Sequence, residues 1–297
     1  MRPSSGLFYH RRVADALAHG TICFLGPFLL YRNFESVDMT EIIFLGTSGY
    51  VPTPERDNAA FLLKTGESSI LVDCPGSPLR KLAAAAVKPL DVGSVFITHI
   101  HADHVYGLPT LVHGLMLRDH VFRLFGSAET VDLCRRLLDL FGLRGAKYKT
   151  RVEFVVLSSG ERTDVGEGVD VTAWSVPHQP SSLAFEFRAG PGAKRVVFSG
   201  DTPVHPALFE AARGADVLVH DCGAPARFFE TYPVLKSVHT SALDLGEWSE
   251  RAGVRLLAPV HFLTELDFEV GEMEKEIRAH FTGRLFMPSD MDRVVVE

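Results

Sequence analysis

Hydrophobic positions from Met39 onward fall into short runs that glycine, proline and aspartate separate. Short apolar or alternating runs with turn residues at both ends are typical of β-strands. They predict twelve strands, at about 41–46, 59–65, 69–73, 94–98, 121–125, 152–157, 169–175, 182–188, 194–199, 216–220, 254–259 and 292–296.

Between these strands, apolar residues recur at the i, i+3, i+4 spacing of amphipathic helices. This spacing predicts helices over 105–118, 127–141, 204–213, 240–252 and 269–281, and the alanine- and leucine-rich stretch 77–87 predicts another. Ser127 and the pair Thr240-Ser241 are suitable N-caps for two of them. The mixture of strands and helices predicts one α/β domain over residues 39–297.

Residues 1–38 show neither the alternation of a strand nor the i, i+3, i+4 spacing of a helix, and the pattern changes abruptly at Met39. We therefore predict that 1–38 is a poorly ordered N-terminal extension, or that Met39 is the natural start of the protein. The alternative is a genuine N-terminal segment that packs Phe24, Phe28 and Leu29 on the domain.

Composition narrows the class of protein. Of the 297 residues, 46% are hydrophobic, which is typical of a globular protein, and no apolar run is long enough to predict a membrane-spanning helix. The formal net charge of −7 disfavours nonspecific binding to nucleic acid, which needs lysine and arginine. The cysteines are widely spaced, so they predict a reducing, cytoplasmic location rather than a disulfide scaffold. They are Cys23, Cys74, Cys134 and Cys222.

The segment 93–109 carries the most specific chemistry, because a predicted strand delivers His99, His101, Asp103 and His104 within six residues. Residues two apart on an extended backbone point the same way, so His99 and His101 can reach one metal ion. Asp103 and His104 follow on the predicted turn and can face a second ion. Buried polar groups cost free energy unless they have partners, and a metal is such a partner.

Three more candidate ligands follow other predicted strands: His178, Asp201 and His261. In open α/β sheets, functional sites gather where strands end. One such residue alone is weak evidence, but three of them together with the histidine-rich segment predict a metal centre.

This pattern resembles the metallo-β-lactamase fold superfamily, whose HxHxDH motif matches His99, His101, Asp103 and His104. The resemblance implies a four-layer αββα sandwich with two metal ions. By the resemblance, the first ion is held by His99, His101 and His178, the second by Asp103, His104 and His261, and Asp201 bridges them. Such nitrogen and oxygen ligands suit zinc, with manganese or iron as alternatives.

Within the superfamily, the chain most resembles the ribonuclease Z-like group with its arylsulfatase and phosphodiesterase relatives. The matching residues are Phe44-Leu45-Gly46-Thr47-Ser48-Gly49, Pro52, Arg56, Asn58, Thr98, Gly107-Leu108 and His239-Thr240-Ser241. The resemblance implies that His239 protonates the leaving group and that Asp103 both ligates a metal and orients the attacking hydroxide. The alternative for His239 is a solvent-facing residue beside a helix cap.

The chain departs from the tRNA-processing members of that group. Only 23 positions separate His178 from Asp201, which leaves no room for the arm that grips tRNA. The group's DCGEGTQR stretch is DCPGSPLR over 73–80, and its HFSxRY stretch is HFLTEL over 261–266. These differences disfavour RNA as the substrate and leave the metal chemistry intact.

The leading hypothesis is therefore a dinuclear zinc hydrolase that acts on a small phosphodiester, sulfate or related ester. Two alternatives are an armless ribonuclease Z-type endonuclease, for which a homodimer is one arrangement, and a catalytically idle metal-binding protein. The segment 225–238 could form a lid in which Phe228, Phe229 and Tyr232 line a pocket, or these rings could simply fill the core. His220-Asp221 could hydrogen-bond a ligand histidine.

Overall fold

A computed structural model describes most of the chain: residues 39–66, 68–145, 147–166 and 168–297. The hypotheses about residues 1–38 lie outside the described residues, so they and the boundary at Met39 stay predictions.

Within the described residues, fourteen strands form two seven-stranded sheets. The first sheet, from edge to edge, contains β14 (Arg293–Val296), β1 (Thr40–Gly46), β2 (Ala60–Thr65), β3 (Ser68–Val72), β4 (Val92–Phe96), β5 (Val121–Gly126) and β6 (Arg151–Val156). The second contains β13 (Arg284–Leu285), β12 (Leu256–Val260), β11 (Val217–Asp221), β10 (Lys194–Phe198), β9 (Leu183–Ala189), β8 (Val169–Ser175) and β7 (Arg162–Gly166). Strands β3 to β6 are parallel, as are β10 to β13.

Eight α-helices occur in the described part of the chain. They are α1 (Pro78–Ala84), α2 (Ala102–Val105), α3 (Leu108–Leu115), α4 (Ala128–Leu140), α5 (Pro206–Ala211), α6 (Ala226–Thr231), α7 (Ala242–Ala252) and α8 (Val270–Arg278). Short 3₁₀ helices cover Pro89–Asp91 and Pro233–Ser237. The described residues contain no helix that is both long and apolar enough to cross a membrane.

The main core lies between the two sheets and is rich in phenylalanine. Phe96 of the first sheet stacks on Phe125 at 4.3 Å and meets Phe187 of the second sheet edge-to-face at 4.9 Å. Separate apolar clusters fill the outer face of each sheet, under α1, α3 and α4 on one side and α5, α7 and α8 on the other. The predicted four-layer αββα sandwich is therefore confirmed.

All twelve predicted strands are present, with ends shifted by one or two residues. The prediction of one helix over 105–118 was wrong, because two helices occur there: α2 already begins at Ala102, and α3 begins at Leu108 with Pro109 in its first turn. Asp103 and His104 consequently lie on a helix rather than on a turn. Ser127 and Ser241 cap α4 and α7 as expected, each accepting a hydrogen bond from a backbone N–H of the first turn.

Candidate metal centre

The seven predicted ligand side chains come together where β4, β8, β10 and β12 end. Their donor atoms fall into groups within which every atom lies within 4.8 Å of the others. The groups are His99, His101, His178 and Asp201; then Asp103, His104 and His261; then Asp201, His239 and His261. Gly200 adopts a φ of +58° and turns the chain so that Asp201 enters the site.

The first cluster consists of His99, His101 and His178. The Nδ1 atom of His101 lies 2.9 Å from His99 Nε2 and 3.1 Å from His178 Nε2. A carboxylate oxygen of Asp201 lies 3.8 and 3.7 Å from the same two Nε2 atoms. Three ring nitrogens and one oxygen thus converge on one point.

The second cluster consists of Asp103, His104 and His261. The Asp103 carboxylate lies 3.3 Å from His104 Nε2 and 3.4 Å from His261 Nε2. Asp201 faces this cluster as well, at 3.4 Å from His104 and 3.1 Å from His261. Asp201 is therefore shared by the two clusters, which is the placement expected of a bridging ligand.

The hydrogen bonding of the histidines fits metal ions in both clusters. His101 Nδ1 can share a single proton with only one of its two facing nitrogens, so at least one lone pair is left without a partner. His104 Nε2 is buried and makes no aligned hydrogen bond, although it lies near two carboxylates. Imidazole and carboxylate donors are also the ligands that zinc takes.

Asp73 stands behind both clusters. Its carboxylate accepts hydrogen bonds from the Thr98 hydroxyl at 2.9 Å and lies 2.8 Å from His104 Nδ1. Since Thr98 donates to Asp73, its oxygen can accept a proton from His99 Nδ1, 3.0 Å away. Both arrangements leave Nε2 of His99 and His104 free to bind a metal.

The other histidines of the first cluster have neutral partners. His178 Nδ1 donates to the Val238 carbonyl at 2.9 Å, and the amide of Gln179 lies against His101 Nε2. Because Nδ1 of His101 faces the cluster, its Nε2 carries the proton, and we assign the amide oxygen of Gln179 as the acceptor. This orientation also gives a partner to Oε1, which is otherwise unpaired among the described residues.

Burial and charge shift the pKa values of His99 and His104 in opposite directions. Burial, reinforced by the nearby His104, holds the pKa of His99 well below its usual range. Burial also disfavours the charged form of His104, but Asp201 and Asp73 outweigh it and raise the pKa of His104 well above its usual range. The carboxyl of Asp103 has a lowered pKa because hydrogen bonds from His104 and His261 outweigh its burial.

His239 lies beside the metal-ligand residues with a carboxylate partner of its own. Its Nδ1 is 2.9 Å from Asp221, and one of its ring nitrogens lies within 4.8 Å of donor atoms of Asp201 and His261. Burial opposes its protonation, yet the charge and hydrogen bond of Asp221 raise the pKa of His239 to about 9. A buried, protonated imidazole at this place can supply a proton to a leaving group.

A pocket of about 280 Å³ opens over the two clusters. Its lining residues are Tyr50, His101, Ala102, Asp103, His178, Asp201, His239 and His261. A hydrogen bond to Glu265 raises the pKa of Tyr50 to about 12, so an acidic side chain stands at the rim.

Two expectations about neighbouring residues need revision. The suggestion for His220 was wrong, since its Nδ1 bonds the Asp221 backbone carbonyl and its ring stacks on Phe209, whereas Asp221 itself reaches His239. In the segment 225–238, Phe228 packs against Phe268 and belongs to a small apolar cluster. Phe229 belongs to the same cluster and also borders a second pocket next to His239.

The sequence analysis did not identify the roles of Asp73 and Gln179. Asp73 follows β3 with a φ of +59°, a backbone conformation that its sequence neighbours do not reveal. Its place directly after an apolar strand, the same signal that marked Asp201, could have found it. Gln179 follows His178 directly, but nothing in the sequence indicates that it reaches His101.

Comparison with known proteins places this fold and site in a known class. A family model described as "Beta-lactamase superfamily domain" matches residues 68–262, and the chain belongs to this family. The fold and the ligand-type residues agree with the metallo-β-lactamase branch of hydrolases that the sequence resembles.

Individual proteins of known sequence or structure also resemble this chain. Ribonuclease Z of Mycobacterium marinum is 28% identical over 87% of this chain and 99% of its own length. Ribonuclease Z of Methanosarcina mazei is 27% identical over 82% and 94%. Among solved structures, the metallo-beta-lactamase fold protein YhfI of Bacillus subtilis has a TM-score of 0.75 at 19% identity, covering 87% of this chain and all of that one. The short form of human tRNase Z has a TM-score of 0.70 at 18% identity, covering 86% and 99%.

Proposed function

We propose that this protein is a metal-dependent phosphodiesterase with two divalent ions, zinc being the first choice. The observation that carries the proposal is the shared position of Asp201 between two histidine clusters, with the protonated His239 beside them. In this proposal His99, His101 and His178 hold one ion, Asp103, His104 and His261 hold the other, and Asp201 bridges them.

Divalent ions held by these residues would lower the pKa of bound water towards neutrality and would polarise the phosphoryl group. The chain's own residues orient the reactants. Asp103, which lines the pocket, accepts a hydrogen bond from the attacking water at a carboxylate oxygen and so fixes the direction of attack. His239 gives its proton to the departing oxygen, while Asp221 keeps the ring protonated and correctly turned.

The similar proteins favour RNA as the substrate, with cleavage near the 3′ end of a transfer RNA precursor. Both curated relatives described above are named ribonuclease Z, and they match this chain over nearly their full length. This support outweighs that for the small ester favoured by the sequence analysis.

A small phosphodiester remains the second candidate because of one specific feature. Strands β9 and β10 form a tight hairpin, pairing Ala189 with Lys194, so the described chain between His178 and Asp201 contains no tRNA-gripping arm. Glu265 at the pocket rim and the net charge of −7 also work against a polyanionic substrate.

Parallel assays on zinc-loaded protein test the proposal. The substrates are a transfer RNA precursor, bis-p-nitrophenyl phosphate, p-nitrophenyl sulfate and a lactone. Cleavage of the precursor after its discriminator base supports the first candidate, and hydrolysis of the diester alone supports the second. Turnover of the sulfate or lactone without any phosphodiester contradicts the proposal, as does a metal-loaded protein that turns over none of the four.

A further inference from the structure

A second pocket, also of about 280 Å³, borders His239 and contains none of the seven candidate metal ligands. Besides His239, its lining residues are Val204, Phe229, Lys236, Asp244 and Trp248. His239 is the one residue that lines both this pocket and the pocket over the clusters. His239, the proposed proton donor, therefore forms part of the wall of both pockets.

We propose that this second pocket binds the leaving group of the substrate and that it selects a flat aromatic ring, above all a nucleobase. The inference rests on the proposed phosphodiesterase function. In that reaction water releases one proton to the solvent and its oxygen forms the new bond to phosphorus, while the bond from phosphorus to the leaving oxygen breaks with its electron pair on that oxygen. The leaving oxygen takes its proton from His239.

The position of His239 directs the leaving group into this pocket. Nδ1 of His239 is engaged by Asp221, so the other ring nitrogen serves the leaving oxygen. The phosphoryl group lies over the clusters, in the pocket that Asp103 and Asp201 line. A leaving alcohol that extends past His239, away from the clusters, reaches the second pocket, whose wall His239 also forms.

The apolar walls suit an aromatic ring. Trp248 is half-buried on α7, and its ring is fixed by Phe209, whose centroid is 5.6 Å away, and by Arg251, 5.1 Å from its centroid. Phe229 is only 2% exposed and closes the wall, so the half-buried Trp248 supplies the aromatic surface. Fixed aromatic surfaces stack on bases of any sequence because each base has a π-face.

The polar groups suit a ring with both donors and acceptors. Asp244 accepts a hydrogen bond from the Ser241 hydroxyl at 2.6 Å, and a carboxylate has capacity for further donors, such as an amide N–H of a base. Lys236 is exposed and pairs with the exposed Glu230, so it can turn to a carbonyl oxygen of the base. A phenyl ring contacts the apolar walls but forms no hydrogen bond with Asp244 or Lys236.

The test compares methyl phosphodiesters of benzyl alcohol, cyclohexylmethanol and the 3′-hydroxyl of thymidine, with the released alcohol measured by chromatography. The first two alcohols are similar in size and leaving ability but differ in aromaticity. We expect kcat/KM to be about tenfold higher for the two aromatic alcohols. Trp248→Ala removes this preference, so that kcat/KM for the benzyl and cyclohexylmethyl diesters becomes equal within about twofold.

Trp174→Ala is the matched control, because the chain has two tryptophans and Trp174, on β8, lines neither pocket. This variant keeps the preference. Lys236→Ala, an exposed change that should not disturb folding, lowers the rate with thymidine but not with benzyl alcohol. Equal rates for the three wild-type reactions, or an equal loss for all of them in Trp248→Ala, overturn the inference.

Binding separates this inference from the proposed function. Free thymidine should quench tryptophan fluorescence in the wild-type holoenzyme and in Trp174→Phe but not in Trp248→Phe. Quenching without hydrolysis of any diester contradicts the phosphodiesterase and leaves the pocket assignment standing. Hydrolysis without an aromatic preference and without quenching supports the phosphodiesterase and contradicts the pocket assignment.

Discussion

The two clusters of the candidate metal centre differ in what stands behind their histidines. The first cluster, His99, His101 and His178, is backed by neutral groups: the Thr98 hydroxyl, the Gln179 amide and the Val238 carbonyl. The histidines of the second cluster are backed by carboxylates. Asp73 lies 2.8 Å from His104, and Asp221 lies 3.7 Å from His261.

In the proposed metal centre, this difference means that the two clusters would hold their ions in different ways. A carboxylate partner raises the basicity of an imidazole and strengthens its bond to a metal, whereas a neutral partner mainly fixes the ring. The opposite pKa shifts of His99 and His104 reflect this contrast. Retention of metal should therefore depend on charge in the second cluster and on ring orientation in the first.

Asp201 belongs to both clusters, so its loss should cause the largest effect. Asp201→Ala removes the shared oxygen ligand, and we expect metal content to fall below one ion per chain and activity to fall by roughly 10⁴-fold, the weight of several kcal/mol of charge stabilisation. Elemental analysis and kinetics measure both. Asp132→Ala, at an exposed site on α4, is the control. Loss of only one ion would mean that Asp201 serves one cluster and does not bridge.

In the proposed reaction, His239 acts from outside the two clusters. His239→Gln should keep both ions while kcat falls by about 10²–10⁴-fold, because proton donation to the leaving group is lost. Metal content and kcat are measured on the same preparation, and His113→Gln, an exposed change on α3, serves as the comparison. Full activity in His239→Gln would remove the residue from the mechanism.

Substitution of the residues that contact the histidines from behind tests the contrast between the two clusters directly. Outer partners of metal ligands typically contribute 10- to 100-fold to metal affinity. Asp73→Asn should lower the affinity for metal by roughly 100-fold, because Asp73 contacts His104 directly and His99 through Thr98. Gln179→Ala should lower it by only about tenfold. Competition with a zinc chelator measures both affinities. A larger loss for Gln179→Ala would reverse the proposed division between the clusters.

The smallest expected effect is a displaced pH profile. His239 must be protonated to donate, so kcat should fall as the pH rises through the pKa of His239. Asp221 raises that pKa by its charge and its hydrogen bond. Asp221→Asn removes the charge, lowers the pKa, and should move the alkaline limb to lower pH by roughly one unit. An unchanged limb would show that another group titrates there.

Much of this fold could be predicted because its strands are short, apolar and clearly bounded. Strand β12, for example, is buried throughout, and its sequence from Leu256 to Val260 is apolar at every position. Strand β7 was missed because its edge position leaves it only partly buried, with Arg162 and Asp164 exposed. The two-residue β13 is too short to produce any period.

The candidate ligands could be predicted because their types and spacing are unusual, whereas the surrounding groups could not. Asp73 and Gln179 act through contacts across the fold, at sequence separations of 31 and 78 residues from their histidines. Such contacts depend on how strands and loops pack, and one-dimensional periodicity does not encode that packing. The short helix α2 was mispositioned for a similar reason. The N–H of Gly107 donates to the carbonyl of Cys74, a residue far away in sequence, instead of continuing α2.

The central claim is that two ions sit in the two clusters and share Asp201. Anomalous diffraction at the zinc edge, from crystals of the zinc-loaded protein, tests it most directly. The account predicts two peaks a few Å apart, one among His99, His101 and His178 and the other among Asp103, His104 and His261, with the Asp201 carboxylate between them. A single peak, or two peaks away from these clusters, would contradict it.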